Sequence, residues 1–246
     1  MSERADVLVL QHIACEPPAA YGEELDRRGI AFRSVALDEG QALPDWRPYR
    51  AIIAMGGPMG AYDEPTLPWL AGEKRLIGEA ARAGRPFWGV CLGAQLLAAG
   101  LGARVLPGPL PEVGVMPVQL SAAGARDPVF SAAPASFQSF HWHGDTYELP
   151  AGAVRLAGSA LYEQQAFVFQ RAYGLQFHLE VDAGLVAGWG RVPAYAESLR
   201  RRQPPLSIAE VTGQLGGVQA QAIPLARELF ARWLDRVACL PGVVAA

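Results

Sequence analysis

Three side chains in this 246-residue sequence have the types and settings of an activated thiol: Cys91, His178 and Glu180. Cys91 lies in Gly89-Val90-Cys91-Leu92-Gly93, between the apolar run Pro86–Val90 and a helix-compatible stretch from Gln95 to Leu101. A G-x-nucleophile-x-G segment at a strand-to-helix turn is the pattern of a nucleophile elbow, here with Cys in place of Ser. The flanking glycines admit a sharp turn that a Cβ would obstruct. The turn also sets the sulfur at a helix N-terminus, whose positive end stabilises a thiolate. By itself the segment is equally compatible with a buried cysteine in an ordinary β–α turn.

A second stretch lies far downstream, Ala172-Tyr173-Gly174-Leu175-Gln176-Phe177-His178-Leu179-Glu180. Side chains two apart on a strand share a face, so His178 and Glu180 are expected to point the same way. A carboxylate beside an imidazole fixes its tautomer and stabilises its cation, although such a pair also serves as a plain strand-end ion pair. A cysteine at an elbow, a base and an orienting carboxylate are together the parts of a thiol nucleophile.

The elements that must position these groups follow from periodicity. Asp6–Gln11, Ala31–Ala36, Ala51–Met55 and Pro86–Val90 read as buried strands; Ala20–Gly29 and Leu67–Ala83 read as the helices between them. Strands alternating with helices imply βαβ units and a largely parallel sheet, with sites beyond the carboxyl ends of its strands. Gly56-Gly57-Pro58 and Cys91 both fall at such ends and could share one crevice. After Gly102 the strand-like runs are Val115–Leu120, Ala153–Leu156, Gln165–Phe169 and Tyr173–Phe177. With a tight reversal expected at Arg171–Gly174, this half reads as more antiparallel and as one edge of the sheet. Gln203–Ser207 reads as a loop, and residues 220–237 as an amphipathic helix whose apolar face packs on the core. With no repeat or clear linker, residues 1–246 are expected to form a single domain.

Composition narrows the function classes. The net charge of −3 and the absence of a dense basic cluster speak against nucleic acid; Arg200-Arg201-Arg202 reads as a solvated helix end. The run Val7–Leu10 is too short for a signal peptide or a membrane span. Three cysteines, Cys15, Cys91 and Cys239, do not make a disulfide framework, so a reduced, cytoplasmic setting is expected, with no membrane partner. Cys239 is expected to pack beside the last helix. His12 reads as a loop polar residue. His141 and His143 flank Trp142 without a C-x-x-C or H-x-x-x-H, so no metal and no cofactor are expected.

The chain resembles class I glutamine amidotransferases, nearest to the glutaminase domain of GMP synthetase and its stand-alone relatives. Gly89-Val90-Cys91-Leu92-Gly93-Ala94-Gln95 is similar to the family's nucleophile motif, and Gly174–Glu180 to its G-x-Q-F-H-P-E motif. Gly56-Gly57-Pro58 sits where the family places an oxyanion loop, and Trp142-His143-Gly144-Asp145 resembles the H-G-D segment of the GMP synthetase branch. The order agrees along roughly residues 6–190. The resemblance implies an α/β, flavodoxin-like amidotransferase fold: a mostly parallel sheet flanked by helices, with an antiparallel edge extension.

It also implies roles. Cys91 would attack the side-chain amide of glutamine, His178 would move the proton, and Glu180 would orient His178. The backbone amides of Gly57 and Leu92 would hold the oxyanion, and Gln95, His143, Gly144 and Asp145 would bind the amino-acid end of the substrate. Leu179 departs from the family's proline, which alters backbone stiffness rather than chemistry. No ATP-pyrophosphatase segment follows and no G-x-x-x-x-G-K loop occurs, so this chain is not expected to make GMP alone. The expected activity is an amidohydrolase releasing ammonia from glutamine for an acceptor enzyme on another chain. The alternative is an independent γ-glutamyl hydrolase or peptidase acting on another γ-glutamyl amide; a regulatory domain that retains the fold is disfavoured by the intact Cys91, His178 and Glu180.

Overall fold

Apolar runs without alternation suit strands that are covered on both faces. The computed structural model, which describes residues 5–202, 204–240 and 242, places such strands at the start of the chain. Its elements are β1 (Val7–Gln11), α1 (Ala19–Arg27), β2 (Phe32–Ala36), β3 (Ala51–Ala54), α2 (Trp69–Arg82), β4 (Phe87–Val90) and α3 (Leu92–Gly100). There follow β5 (Val105–Leu120), β6 (Ser136–Tyr147), β7 (Val154–Gly158), β8 (Ala166–Phe169) and β9 (Ala172–Leu175), then α4 (Ala183–Trp189), α5 (Pro193–Arg201) and α6 (Ile208–Trp233).

Among the described residues the strands form one sheet in the order β2-β1-β3-β4-β9-β8-β7-β5-β6. The pairings from β2 through β1, β3 and β4 to β9 are parallel. Those from β9 outward to β6 are antiparallel. The antiparallel extension is thus a contiguous half of the sheet, joined to the parallel half at β9.

Alternation along β1 shows why the strands are apolar throughout. Val7 and Val9 enter a core with Tyr21 and Leu25 of α1 and Leu229, Phe230 and Trp233 of α6. Leu8 and Leu10 enter the opposite core with Leu70 and Ile77 of α2 and Leu96 and Leu97 of α3. Trp88 of β4 is ringed by Tyr21, Tyr173, Phe230 and Trp233 at centroid distances of 5.6–6.0 Å. It pins the strand that ends at Cys91. A third apolar cluster, with Phe140, Trp142, Trp189 and Tyr195, packs α4 and α5 beside the ends of the parallel strands.

The structure departs from expectation at several elements. The reversal between β8 and β9 is at Gln170-Arg171, because Phe169 pairs with Ala172 and Gln170 takes the positive φ (53°) that a two-residue hairpin demands. Ala172–Gly174 belong to β9 itself. Residues 136–147 form a twelve-residue strand that no reading of the motif alone supplied. The last helix starts far upstream of residue 220: Ser207 and Glu210 form a capping box, and Gly213, Gly216 and Gly217 are tolerated on a face open to solvent. It passes into a wider turn over Leu234–Ala238. Beyond it Cys239, expected to pack, is exposed in a left-handed conformation. Of the expected loop Gln203–Ser207, Gln203 lies outside the described residues; Pro204–Ser207 belong to no helix or strand. No helix among the described residues is long and apolar enough to cross a membrane.

Candidate active site

Four parallel strands end on one crevice, and each delivers a chemically distinct group there. β1 leads to His12 and Glu16, β3 to Gly56 and Gly57, β4 to Cys91, and β9 to His178 and Glu180. The strand order reverses between β1 and β3, which is where ligands of open α/β sheets bind.

The elbow takes the strained form expected of it. Cys91 has φ 51° and ψ −106°, a costly conformation for a residue with a Cβ, and it directly precedes α3. Close packing explains the glycines. A Cβ on Gly89 would meet the backbone of Gly93 at 2.7 Å, and one on Gly93 would run into the Ala54 carbonyl of β3. The Cys91 amide donates to the Leu175 carbonyl at 2.7 Å and the Gly93 amide to the Met55 carbonyl at 3.1 Å, tying the turn to both neighbouring strands. The sulfur is contacted by Gln176 Nε2 at 3.6 Å and by the Trp142 carbonyl at 3.9 Å.

His178 does not lie within β9, which ends at Leu175. It forms an isolated antiparallel bridge with Phe140 of β6, each residue's amide donating to the other's carbonyl (2.7 and 3.0 Å). The shared face anticipated for His178 and Glu180 holds nonetheless: His178 Nδ1 bonds Glu180 Oε1 at 2.7 Å, and Glu180 Oε2 accepts from the Leu179 amide at 3.0 Å. Trp189 meets the imidazole edge-on at 5.1 Å. Both side chains are almost wholly buried. Burial favours a neutral imidazole, but the Glu180 carboxylate and the adjacent Cys91 thiol outweigh it and hold the His178 pKa well above its ordinary value. His178 Nε2 is buried with no hydrogen-bond partner among the described residues.

The glycine loop after β3 is anchored by His12, a polar residue of the loop after β1 that is fully buried. Its Nδ1 is 3.1 Å from the Gly56 carbonyl and its Nε2 2.8 Å from Glu73 Oε1 of α2. Burial opposes its charge, but Glu73 dominates and raises its pKa. Among the described residues neither the Gly57 nor the Leu92 amide donates to a backbone carbonyl. Both belong to the loop and helix start that flank Cys91, so they are free to face a developing negative charge.

A cleft of about 390 Å³ opens over Cys91. Gln95, His143, Gly144 and Asp145 all line it, as do three residues of α5 that sequence reading missed: Tyr195, Ser198 and Arg201. Gln95 Nε2 donates to Gln176 Oε1 at 3.1 Å. Burial raises the Asp145 pKa, partly offset by the neighbouring Tyr62 hydroxyl. His143 has both ring nitrogens engaged, Nδ1 with the Asp145 carbonyl (3.0 Å) and Nε2 with Glu112 (3.1 Å), so it braces the part of β6 that presents Gly144 and Asp145.

Glu112, His141 and His143 are buried with candidate donor atoms within 4.8 Å of one another, a spacing that a cation could use. The Glu112 carboxylate also accepts from Ser159 (2.7 Å) and from Gln165 (2.6 Å), so the cluster has the bonding of an ion network. Nothing in the motif search pointed to Glu112, whose partners come from β6 and from the segment between β7 and β8.

The chain thus carries a cysteine elbow and a His–Glu pair beyond the strand ends of a mostly parallel α/β half-sheet. The sequence model for glutamine amidotransferase class-I matches residues 23–186, and the chain belongs to that family. It is 31% identical over 182 residues to the glutamine amidotransferase-like protein YfeJ of Salmonella typhimurium, covering 72% of this chain and 76% of that protein. A GMP synthase of Thermomicrobium roseum is 38% identical over 133 residues, 54% of this chain but only 23% of that enzyme. Among solved structures, a glutamine amidotransferase of Thermotoga maritima superposes with TM-score 0.83 at 31% identity, covering 95% of this chain and 99% of its own. One from Methylobacillus flagellatus superposes with TM-score 0.84 at 29% identity, covering 95% of each chain.

Proposed function

We propose that the protein hydrolyses the side-chain amide of glutamine through a γ-glutamyl thioester on Cys91, and that the ammonia serves an acceptor enzyme on another chain. The observation that carries this reading is the strained Cys91 elbow set against a buried, Glu180-bonded His178. In the first step Cys91 passes its thiol proton to His178 Nε2 and the thiolate attacks the amide carbon. The carbonyl oxygen becomes an oxyanion between the Gly57 and Leu92 amides, an interaction worth about 2.7–4 kcal/mol per donor. The C–N bond breaks as His178 Nε2 delivers a proton to the leaving nitrogen, releasing ammonia. Water then gives a proton to His178 and attacks the thioester, freeing glutamate and restoring the thiol. Glu180 keeps Nδ1 protonated, so that Nε2 is the atom that exchanges protons. Gln95, Gly144 and Asp145 bind the amino-acid end, with His143 bracing the Gly144–Asp145 part of β6.

The synthetase part of the GMP synthases lies outside the matched region, so the acceptor reaction is not carried over from them. A release assay on the purified protein, comparing glutamine with a panel of γ-glutamyl amides and peptides, tests the reading. Slow turnover of glutamine and none of the panel is expected. Efficient turnover of one γ-glutamyl peptide, with glutamine poor, would establish an independent γ-glutamyl hydrolase instead.

A further inference from the structure

His178 has a second acidic neighbour that the proposed chemistry leaves unused. Glu16 follows β1 and is almost fully buried. The two approach each other at Gly56: a Cβ built there would collide with Glu16 Oε2 and meet His178 Cε1 at 3.3 Å. The other carboxylate oxygen, Oε1, accepts a hydrogen bond from the Tyr195 hydroxyl of α5. Two further contacts dock the same region. Trp142 Nε1 donates to Ser198 Oγ at 2.6 Å, and Trp189 Nε1 of α4 donates to the Cys15 carbonyl at 2.9 Å. Glu16 precedes and Tyr195 follows the segment matched by the family's sequence model, residues 23–186.

We propose that Glu16, held by Tyr195, is a positioning residue for His178: its carboxylate stabilises the imidazolium from the Cε1 edge of the ring and makes the Cys91–His178 pair depend on the docking of α5. A buried carboxylate beside a buried cation is worth far more than the same pair in water. Glu16 Oε2 and the His178 Cε1 edge crowd the same space at Gly56, and a negative charge there favours the imidazolium. Burial raises the Glu16 pKa, and His178, the Tyr195 hydrogen bond and His12 draw it back in part. The other titratable groups around the site are Glu180, Cys91, His12 with Glu73, Cys15, and His141 from β6, together with the phenols of Tyr21, Tyr147 and Tyr195. Glu16→Gln leaves all of them in place and removes one negative charge.

This inference rests on the proposed role of His178 but not on which amide is cleaved, so the readout is the thiol itself. Iodoacetamide alkylation of Cys91, followed by peptide mapping, is measured against pH for the wild type, Glu16→Gln, Glu16→Asp and Tyr195→Phe. Loss of about 1.4 kcal/mol of ion-pair stabilisation corresponds to a tenfold change. Glu16→Gln is therefore expected to lower the rate about tenfold at about pH 6, with the curves converging by about pH 9, where the thiolate forms without help. Glu16→Asp should restore part of the loss. Tyr195→Phe, which keeps the charge and should fold even if Glu16→Gln does not, should shift the curve in the same direction by less. Superimposable curves for the variants and the wild type overturn the proposal. So does a uniform fall at every pH, which marks a merely structural role. Failure of the amide-hydrolysis reading would appear in the release assay instead and leave these curves unchanged.

Discussion

His178 Nδ1 lies 2.7 Å from Glu180 Oε1, while His178 Nε2, equally buried, has no hydrogen-bond partner among the described residues. One end of the ring is thus fixed and the other is free for a proton that arrives and leaves. This asymmetry separates the two residues experimentally. His178→Ala removes the proton carrier and should lower turnover of the best γ-glutamyl amide about 10²–10⁴-fold. Glu180→Gln keeps a partner for Nδ1 and should cost less. Steady-state rates of the two variants decide it; near-normal turnover by His178→Ala would remove His178 from the base role.

Cys91 should be the thiol that a glutamine-like diazo-ketone labels. It stands at an elbow that opens into the cleft, at the start of α3. Burial and the neighbouring Glu16 push the Cys15 thiol up to about 11, so it is a poor nucleophile at neutral pH. Cys239 is exposed but has no such cleft. Peptide mapping after a short exposure should find the adduct on Cys91, and a label mainly on Cys15 or Cys239 would contradict the assignment.

The Glu112 network gives a pH signature. Burial alone would raise the Glu112 pKa, but the adjacent His141 imidazole, 3.3 Å away, and the hydrogen bond with His143 dominate and hold it well below the ordinary 4.5. A carboxyl depressed in the folded state contributes stability that is complete above its unfolded value, about 4.5, and is lost as pH falls through the folded value. Wild-type stability should therefore drop on acidification below about pH 4.5 more steeply than that of Glu112→Gln. At neutral pH the variant should be less stable, by up to about 3–5 kcal/mol, the usual cost of breaking a buried pair. Urea melts across the acid range test both, and parallel pH profiles would show that Glu112 carries no such linkage.

Much of the site was legible because its chemistry is local. The elbow glycines sit within two residues of Cys91, and His178 and Glu180 lie two apart, so short patterns describe them. The buried strands β1, β3 and β4 are apolar on both faces and were equally plain. What escaped was assembled by tertiary contact. His12 becomes a lock only because Glu73, on the far helix α2, reaches it. Glu112 meets His141 and His143 only because β5 and β6 pair. Tyr195, Ser198 and Arg201 reach the cleft through α5, a nine-residue helix whose polar composition resembles a solvated surface. β6 was obscured because its Trp142–Asp145 segment reads as a motif, and the reach of α6 because its glycines weaken the helical signal while facing open solvent.

The central claim is a covalent γ-glutamyl thioester on Cys91, and acid-quench mass spectrometry during turnover of glutamine tests it most directly. The account predicts a γ-glutamyl adduct confined to the peptide that contains Cys91, absent in Cys91→Ala, and accumulating under conditions that slow water attack. Ammonia release that proceeds with no adduct on that peptide, or that persists in Cys91→Ala, would contradict it.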